Sequence, residues 1–155
     1  MDLYRVVDRM WPALDRLMGA HVAAYRATGG VIGHRFAGLR MLLLDHVGAK
    51  SGTRRTSALL YIEDGPNLVL VASKGGYPRH PAWFHNLKAH PDVTVQVRGE
   101  RRAVKARVAT PEERARLWPK AVRAYAPYRH YQERTNREIP MVILEPRRGS
   151  VDPAR

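Results

Sequence analysis

Two short stretches of this chain combine cations, hydroxyls and glycines in a way that suits a phosphate or another oxyanion. The first is Gly48-Ala49-Lys50-Ser51-Gly52-Thr53-Arg54-Arg55-Thr56. The second is Ala72-Ser73-Lys74-Gly75-Gly76-Tyr77-Pro78-Arg79-His80-Pro81, running on into Ala82-Trp83-Phe84-His85-Asn86. Lysine, arginine and serine side chains supply charge and donors, and the glycines leave backbone N–H groups accessible. A helix opening after the second stretch adds the positive end of its dipole. If the two stretches meet in space, they make one site for an anionic ligand. A third group, Tyr125, Tyr128 and Tyr131, has i, i+3, i+6 spacing and lines one side of a helical stretch, offering rings for a pocket wall and hydroxyls for a polar ligand.

Other chemistries find less support. No G-x-G-x-x-G follows a strand, and Gly48-Ala49-Lys50-Ser51 lacks both the Gly-Lys step and the upstream glycine of a P-loop. His80, His85 and His90 are five apart, a step that turns each side chain away from the last on a helix. With no cysteine and no H-E-x-x-H, no metal site is expected. Ser51, Ser57 and Ser73 sit outside any G-x-S-x-G elbow.

The 155 residues, 45% hydrophobic and 26% charged, fit a single globular domain. Their 27 Lys+Arg against 14 Asp+Glu leave a net charge of +13. Such an excess calls for an acidic partner: nucleic acid, an anionic membrane surface or a polyanionic small molecule. Arg98, Arg101, Arg102, Lys105 and Arg107 surround one hairpin. They read as a solvated, aggregation-resistant edge or as a nucleic-acid stripe, the latter without the interleaved aromatics of a single-strand binder. Absence of cysteine removes disulfide and thiolate chemistry. No apolar run approaches the roughly 20 residues of a spanning helix. An acidic Asp2 and the lack of an apolar h-region do not resemble a signal peptide, so the cytoplasm is the expected compartment.

The periodicity places these groups on elements. Residues 2–26 form an amphipathic helix with Pro12 inside it, either packed on the domain or lying on a membrane with arginines at the headgroups. Residues 27–40 are a glycine-rich loop, a mobile lid or a linker. Strands are expected at Met41–Val47, Thr56–Glu63, Leu68–Ala72, Val93–Arg98, Arg102–Ala109 and Met141–Glu145, with a hairpin turn at Asp64–Asn67 and a short helix at Pro81–Ala89. Thr110-Pro111-Glu112-Glu113 carries a capping box and opens a helix to about Tyr125, followed by a second helical stretch to about Thr135. Residues 41–146 make the core and 147–155 a polar tail. The pattern is mainly β with peripheral helices, a small antiparallel β-barrel without regular strand–helix alternation.

Four motifs in order resemble the deazaflavin-dependent nitroreductase family of actinobacteria, which uses coenzyme F420. They are Val47-Gly48-Ala49-Lys50-Ser51-Gly52 with Arg55, Val71-Ala72-Ser73-Lys74-Gly75-Gly76, His80-Pro81-Ala82-Trp83-Phe84-His85-Asn86-Leu87, and Tyr128-x-x-Tyr131-Gln132 with Ile139-Pro140. The resemblance covers about residues 41–146. It implies a split β-barrel of the flavin-binding type and hydride transfer from reduced F420 to a quinone, a nitroaromatic or another conjugated acceptor. F420 carries a phosphate and an oligoglutamate tail, so it is a polyanion of the kind the charge calls for. By the resemblance, Lys50, Ser51 and Arg55 hold the phosphate and the nearby tail with help from Arg54, and Ser57 is a further coenzyme-binding residue. Ser73, Lys74, Gly75 and Gly76 contact the phosphodiester side or ring edge, while Pro81, Trp83 and Asn86 shape the deazaflavin pocket. Tyr125, Tyr128, Tyr131 and Ser73 orient the acceptor, and a hydroxyl or water supplies a proton. Ala49, Ser57 and Ala58 depart from residues found in other members, which bears on the acceptor more than on the coenzyme. The remaining alternatives are FMN as cofactor, a non-catalytic deazaflavin or flavin carrier, and a basic nucleic-acid-binding barrel, although no nucleic-acid partner is expected. The chain is expected to be a monomer or homodimer, cytoplasmic, with peripheral contact to the inner face of the plasma membrane through residues 2–26.

Overall fold

The computed structural model describes residues 3–36 and 38–147, so the expectations for Asp2 and for the tail beyond 147 lie outside the described residues. In chain order the elements are α1 (Leu3–Thr28), β1 (Arg35–Phe36), β2 (Leu39–Val47), β3 (Arg54–Leu60), β4 (Ile62–Asp64), β5 (Asn67–Val71), a 3₁₀ turn (Lys74–Gly76), α2 (Ala82–Ala89), β6 (Asp92–Val97), β7 (Glu100–Val108), α3 (Pro111–Ala124), α4 (Pro127–Glu133) and β8 (Met141–Pro146). The strands run antiparallel in the order β1-β2-β6-β7-β8-β5-β4, with β3 also paired to β2. β3 and β4 are separated only by Tyr61, whose N–H donates to the Arg40 carbonyl at 3.2 Å. The sheet therefore curls back on itself at Tyr61 as a split barrel, the class that the sequence predicts.

Period-two alternation divides the apolar residues between two faces. Leu42, Leu44, Leu68, Leu70, Val142 and Leu144 enter the main core, where α2 adds Trp83, Phe84 and Leu87. Their neighbours Val69, Val71, Met141 and Ile143 face outward and meet Leu117 and Ala121 of α3 and Tyr128 of α4. Met41, Leu43 and Ala58 pack on Tyr25 of α1.

Several boundaries differ from the sequence reading, each for a local reason. The strand expected over Thr56–Glu63 starts at Arg54 and breaks at Tyr61, where the sheet turns its corner. The expected loop over 27–40 contains β1, which pairs with the start of β2. It is not a lid. Gly30 donates its N–H to the Tyr25 carbonyl at 2.8 Å, and a Cβ there would lie 2.5 Å from the Arg98 backbone, so the segment is pressed against the β6–β7 turn. Pro12 lies within a continuous α1. The capping box of α3 forms as expected, with Thr110 accepting from the Glu113 N–H and the Glu113 carboxylate accepting from the Thr110 N–H. α3 ends at Ala124, and Tyr125 is extended (φ −147°, ψ 93°). Pro127 has no N–H with which to continue the helical ladder. The three tyrosines therefore span a helix end and the start of the next helix rather than one helical stretch.

The reading of α1 as a helix packed on the domain holds for its C-terminal part. Its last turns are fastened to the barrel. The buried Tyr25 hydroxyl accepts the Arg98 N–H at 2.7 Å and donates to the Met41 carbonyl at 3.0 Å. Arg26 pairs with Asp45 at 2.8 Å, and Asp45 also receives Thr56 and Arg101. Upstream, Met10, Leu14, Leu17 and Met18 recur at helical spacing yet are 54%, 37%, 68% and 42% exposed. No helix among the described residues is long and apolar enough to cross a membrane. The basic hairpin proves largely neutralised within the domain, since Arg101 reaches Asp45, Arg102 reaches Glu100, and Arg107 bridges Glu113 and Glu145.

Replacing Tyr25 with Phe removes both the acceptor of the Arg98 N–H and the donor to the buried Met41 carbonyl. Urea unfolding is expected to show a loss of about 1–3 kcal/mol. Leu17→Ala, on the exposed ridge of α1, is expected to change stability by less than about 0.5 kcal/mol.

Candidate functional site

The first basic stretch is the β2–β3 connection. Gly48 N–H donates to the Thr53 carbonyl at 2.9 Å and Gly52 N–H to the Gly48 carbonyl at 3.0 Å, which closes the loop. Lys50, Ser51, Arg54 and Arg55 are exposed, and among the described residues no carboxylate pairs with Lys50, Arg54 or Arg55. The Ser51 hydroxyl folds back to accept the Thr53 N–H at 3.2 Å. Alternation along β3 separates the two arginines: Arg55 shares a face with Ser57 and Leu59, Arg54 with Thr56 and Ala58 on the α1 side.

A buried amide holds this loop in place. Ala49 N–H donates to Asn86 Oδ1 at 2.9 Å, and Asn86 Nδ2 lies 3.0 Å from His46 Nδ1. His46 Nε2 lies 2.9 Å from Ser57 Oγ. Asn86 thus reaches the first loop from α2, the helix that follows the second loop. Trp83 and Asn86 were expected to line a coenzyme pocket. Both are buried, Trp83 in the main core and Asn86 in this bridge. Pro81 is the N-cap of α2, with its carbonyl receiving the Phe84 N–H at 3.1 Å.

The second basic stretch leaves β5 and turns through three successive positive φ angles: Lys74 at 43°, Gly75 at 61° and Gly76 at 79°. Ser73 before them is right-handed (φ −78°, ψ −40°). A right-handed residue followed by a left-handed one turns successive N–H groups to one side, the backbone geometry of an anion-binding nest. A left-handed non-glycine residue is uncommon and marks Lys74 as held there by its surroundings. Gly76 is required for space, because a Cβ there would lie 2.6 Å from the Tyr131 carbonyl oxygen. The nest therefore packs directly against α4, which carries Tyr128 and Tyr131.

Arg137, in the α4–β8 connection, fixes the turn. Its guanidinium donates to the Tyr77 carbonyl (2.8 Å), the Ala72 carbonyl (3.1 Å), the Ser73 carbonyl (2.6 Å) and His80 Nδ1 (2.9 Å). Burial lowers its pKa. The His80 pKa is also lowered, by burial and then by Arg137, which keeps Nδ1 an acceptor. His80 and His85 stand 5.8 Å apart ring to ring, and no metal-binding cluster occurs among the described residues.

The tyrosines still converge. Tyr125 and Tyr131 hydroxyls are 3.1 Å apart, and the Tyr125 and Tyr128 rings meet edge to face at 4.8 Å. Burial raises the Tyr128 pKa and, with the hydrogen bond to Tyr125, pushes Tyr131 up to about 12. Beside them opens a cleft of about 200 Å³, whose wall includes Tyr125, Tyr128, Tyr61, Leu60, Ile62 and Arg40. Arg40, Tyr61, His46 and Arg137 escaped the sequence reading. Inward alternation with Leu42 and Leu44 is the one local signal that marks His46; nothing near Arg137 announces its carbonyl partners about 60 residues away.

The description of the F420H(2)-dependent quinone reductase family matches residues 17–146. The chain is 45% identical over 148 residues to an F420H(2)-dependent quinone reductase of Mycobacterium tuberculosis, covering 93% of this chain and 98% of that one. A solved F420-H2 dependent reductase is 43% identical with a TM-score of 0.63, covering 68% of this chain and 93% of that one. A solved domain-swapped dimer is 37% identical with a TM-score of 0.67, covering 86% of this chain and 98% of that one. The heme storage protein HutZ of Vibrio cholerae, 12% identical with a TM-score of 0.54 over 70% of this chain and 82% of that one, shares the fold alone.

Arg137→Met is expected to lower stability by about 1–3 kcal/mol or more, the cost of leaving buried acceptors unpaired. Arg137→Lys should recover little of it, since an ammonium cannot reproduce the guanidinium fork. Thermal unfolding measures the first effect. Faster amide exchange at Gly76 and Tyr77, which bond back to Ser73 and Lys74, reports the loosened turn.

Proposed function

This chain belongs to the F420H(2)-dependent quinone reductase family, and on that premise we propose that it is an oxidoreductase carrying a hydride from reduced coenzyme F420 to a quinone. The observation that carries this reading is an anion-binding backbone turn packed on α4, at Gly76 against Tyr131, the same helix whose Tyr128 lines the cleft. A ligand with an anionic tail and a flat ring needs both, side by side. The residues present suit F420: the nest at Ser73–Lys74, the exposed Lys50 and Arg55, and the half-buried Ser57 offer donors and charge to a phosphate and its acidic tail. When bound, the reduced deazaflavin supplies the hydride; the protein supplies binding, orientation and electrostatics.

Lys50, Ser51, Arg55 and Ser57 hold the phosphate, with Ser73 to Gly76 nearer the ring. Arg54, on the other face of β3, contributes less. Trp83 and Asn86 act from behind: Trp83 backs the α2 wall, and Asn86 anchors the first loop. Tyr125, Tyr128 and Tyr131 contact the acceptor. The raised pKa values of Tyr128 and Tyr131 fit hydrogen-bond donation to an acceptor oxygen better than release of a proton at neutral pH, so the proton comes from solvent. Acceptor and ring must lie about 3–3.5 Å apart for transfer.

Oxidised F420 added to the protein is expected to show saturable fluorescence quenching. Lys50→Ala and Arg55→Ala should each raise Kd about tenfold, the ~1.4 kcal/mol of one charge-assisted contact, and Arg54→Ala by less. Reduced F420 should turn over with menadione. No response to F420 would sink the reading.

The ridge of Met10, Leu14, Leu17 and Met18, with Val31 and Ile32 exposed beyond the end of α1, supports a second part of the proposal. It lies on the inner face of the plasma membrane, where a lipid quinone resides, with Arg9 and Arg16 toward the headgroups. Sedimentation with anionic phospholipid vesicles should be lost in Leu14→Glu/Leu17→Glu while menadione turnover persists. A vesicle-independent dimer disrupted by the same substitutions would instead assign the ridge to a second copy of this chain.

A further inference from the structure

The hydrogen-bond chain from Ala49 to Ser57 has only one consistent assignment of protons. Ala49 N–H can only donate, so Asn86 presents Oδ1 to it and turns its NH₂ toward His46. His46 Nδ1 must then accept, which places the ring proton on Nε2. Nε2–H donates to Ser57 Oγ, and the serine keeps its own hydrogen for another acceptor. His46 and Asn86 are 4% and 6% exposed, so water cannot readily substitute for either partner.

Resting on the coenzyme reading above, we propose that His46 is the positioning residue of the anion site. In its neutral Nε2–H form it holds the Lys50–Ser51 loop through Asn86 and turns the Ser57 hydroxyl outward as a donor to the ligand's phosphate; its protonation, at Nδ1, releases the loop while Nε2–H stays on Ser57. A protonated ring places N–H on Nδ1 against the Asn86 NH₂. If the amide rotates to accept that proton, its NH₂ then faces the Ala49 N–H, donor against donor. No orientation of Asn86 satisfies His46 and Ala49 together once the ring is charged.

The surroundings reinforce the neutral form. Burial and then Arg55, directly opposite on β3, lower the His46 pKa, while Asp45 beside it on β2 raises it by less. α2 contributes Asn86, and its titratable His85 and Lys88 are exposed. β6 pairs with β2 through Thr94, Val95 and Gln96, none of which titrates. With a folded-state pKa below the ordinary 6.5, the clamp is intact above about pH 6.5 and is lost as pH falls through the lowered value.

The test uses two isosteres. Asn at 46 puts an oxygen near the Nδ1 position and cannot titrate; Gln puts an NH₂ near the Nε2 position and offers Asn86 no acceptor. Amide exchange at Ala49 is followed from pH 8 to 5 in the free protein, with Kd for oxidised F420 measured at each pH. The parent should lose Ala49 protection, and bind F420 at least fivefold more weakly, on passing below the His46 pKa. His46→Asn should keep Ala49 protected across the range, with an F420 Kd whose acid limb is gone. His46→Gln should lose protection at pH 7.5. Identical Ala49 exchange profiles in all three proteins would overturn the proposal, as would a parental acid limb in His46→Asn. A clamp that responds as described while F420 affinity stays constant would also overturn it and leave the coenzyme reading standing. A responding clamp in a protein that never binds F420 would support the positioning of the loop and sink the coenzyme reading alone.

Discussion

An anion site made of backbone N–H groups and cations repels itself when empty, so something other than the anion must hold it open. Here that role falls to two polar groups, the buried Asn86 and the half-buried Arg137, that contact no carboxylate among the described residues. Asn86 fixes the first loop by accepting one hydrogen bond from the Ala49 N–H, and Arg137 fixes the second through three carbonyl oxygens and a histidine nitrogen. Using carbonyls rather than acids avoids placing a competing anion beside the ligand's own position. The cost is desolvation of a guanidinium, which is tolerable only because its donors are so fully used.

The barrel makes these anchors possible. β2 presents alternate residues to opposite faces, so adjacent polar side chains serve different tasks. His46 faces α2 and the first loop, while Asp45 faces α1 and gathers Arg26, Thr56 and Arg101. A one-residue slip in the β2–β3 register would exchange these faces and lose both networks at once. The Tyr25 hub keeps the last turns of α1 on the same strands, which leaves the upstream ridge uncovered while the barrel stays independent of what that ridge meets.

What could be read from the sequence was local. The α3 cap lies within four residues, and the strands of the core alternate in place. The charged loops carry their own signature in Lys50, Ser51, Arg55 and Lys74 because cation, hydroxyl and glycine are contiguous. Trp83 and Asn86 were legible as neighbours of the second loop but not as inward-facing, since the face a short helix buries depends on what packs against it. His46 and Arg137 have partners about 40 and 60 residues away, and no spacing rule connects them. Tyr125 kept its ring contact with Tyr128 although Pro127 ended the helix between them, so the constellation survived a wrong account of its backbone.

The distribution of acids sharpens what the net charge means. Between His46 and Pro91, which includes both basic loops, the only carboxylates are Glu63 and Asp64. Both are engaged at β4, Glu63 with Arg40 and Asp64 with Arg116. Elsewhere Arg101, Arg102 and Arg107 of β7 and Arg114 of α3 are met by Asp45, Glu100, Glu113, Glu145 and Glu138. Part of the excess of cations thus lies in the two basic loops, where Lys50, Arg54, Arg55, Lys74 and Arg79 have no acid interleaved with them. A discrete ligand carrying its own negative charge is the partner that such a local imbalance suits.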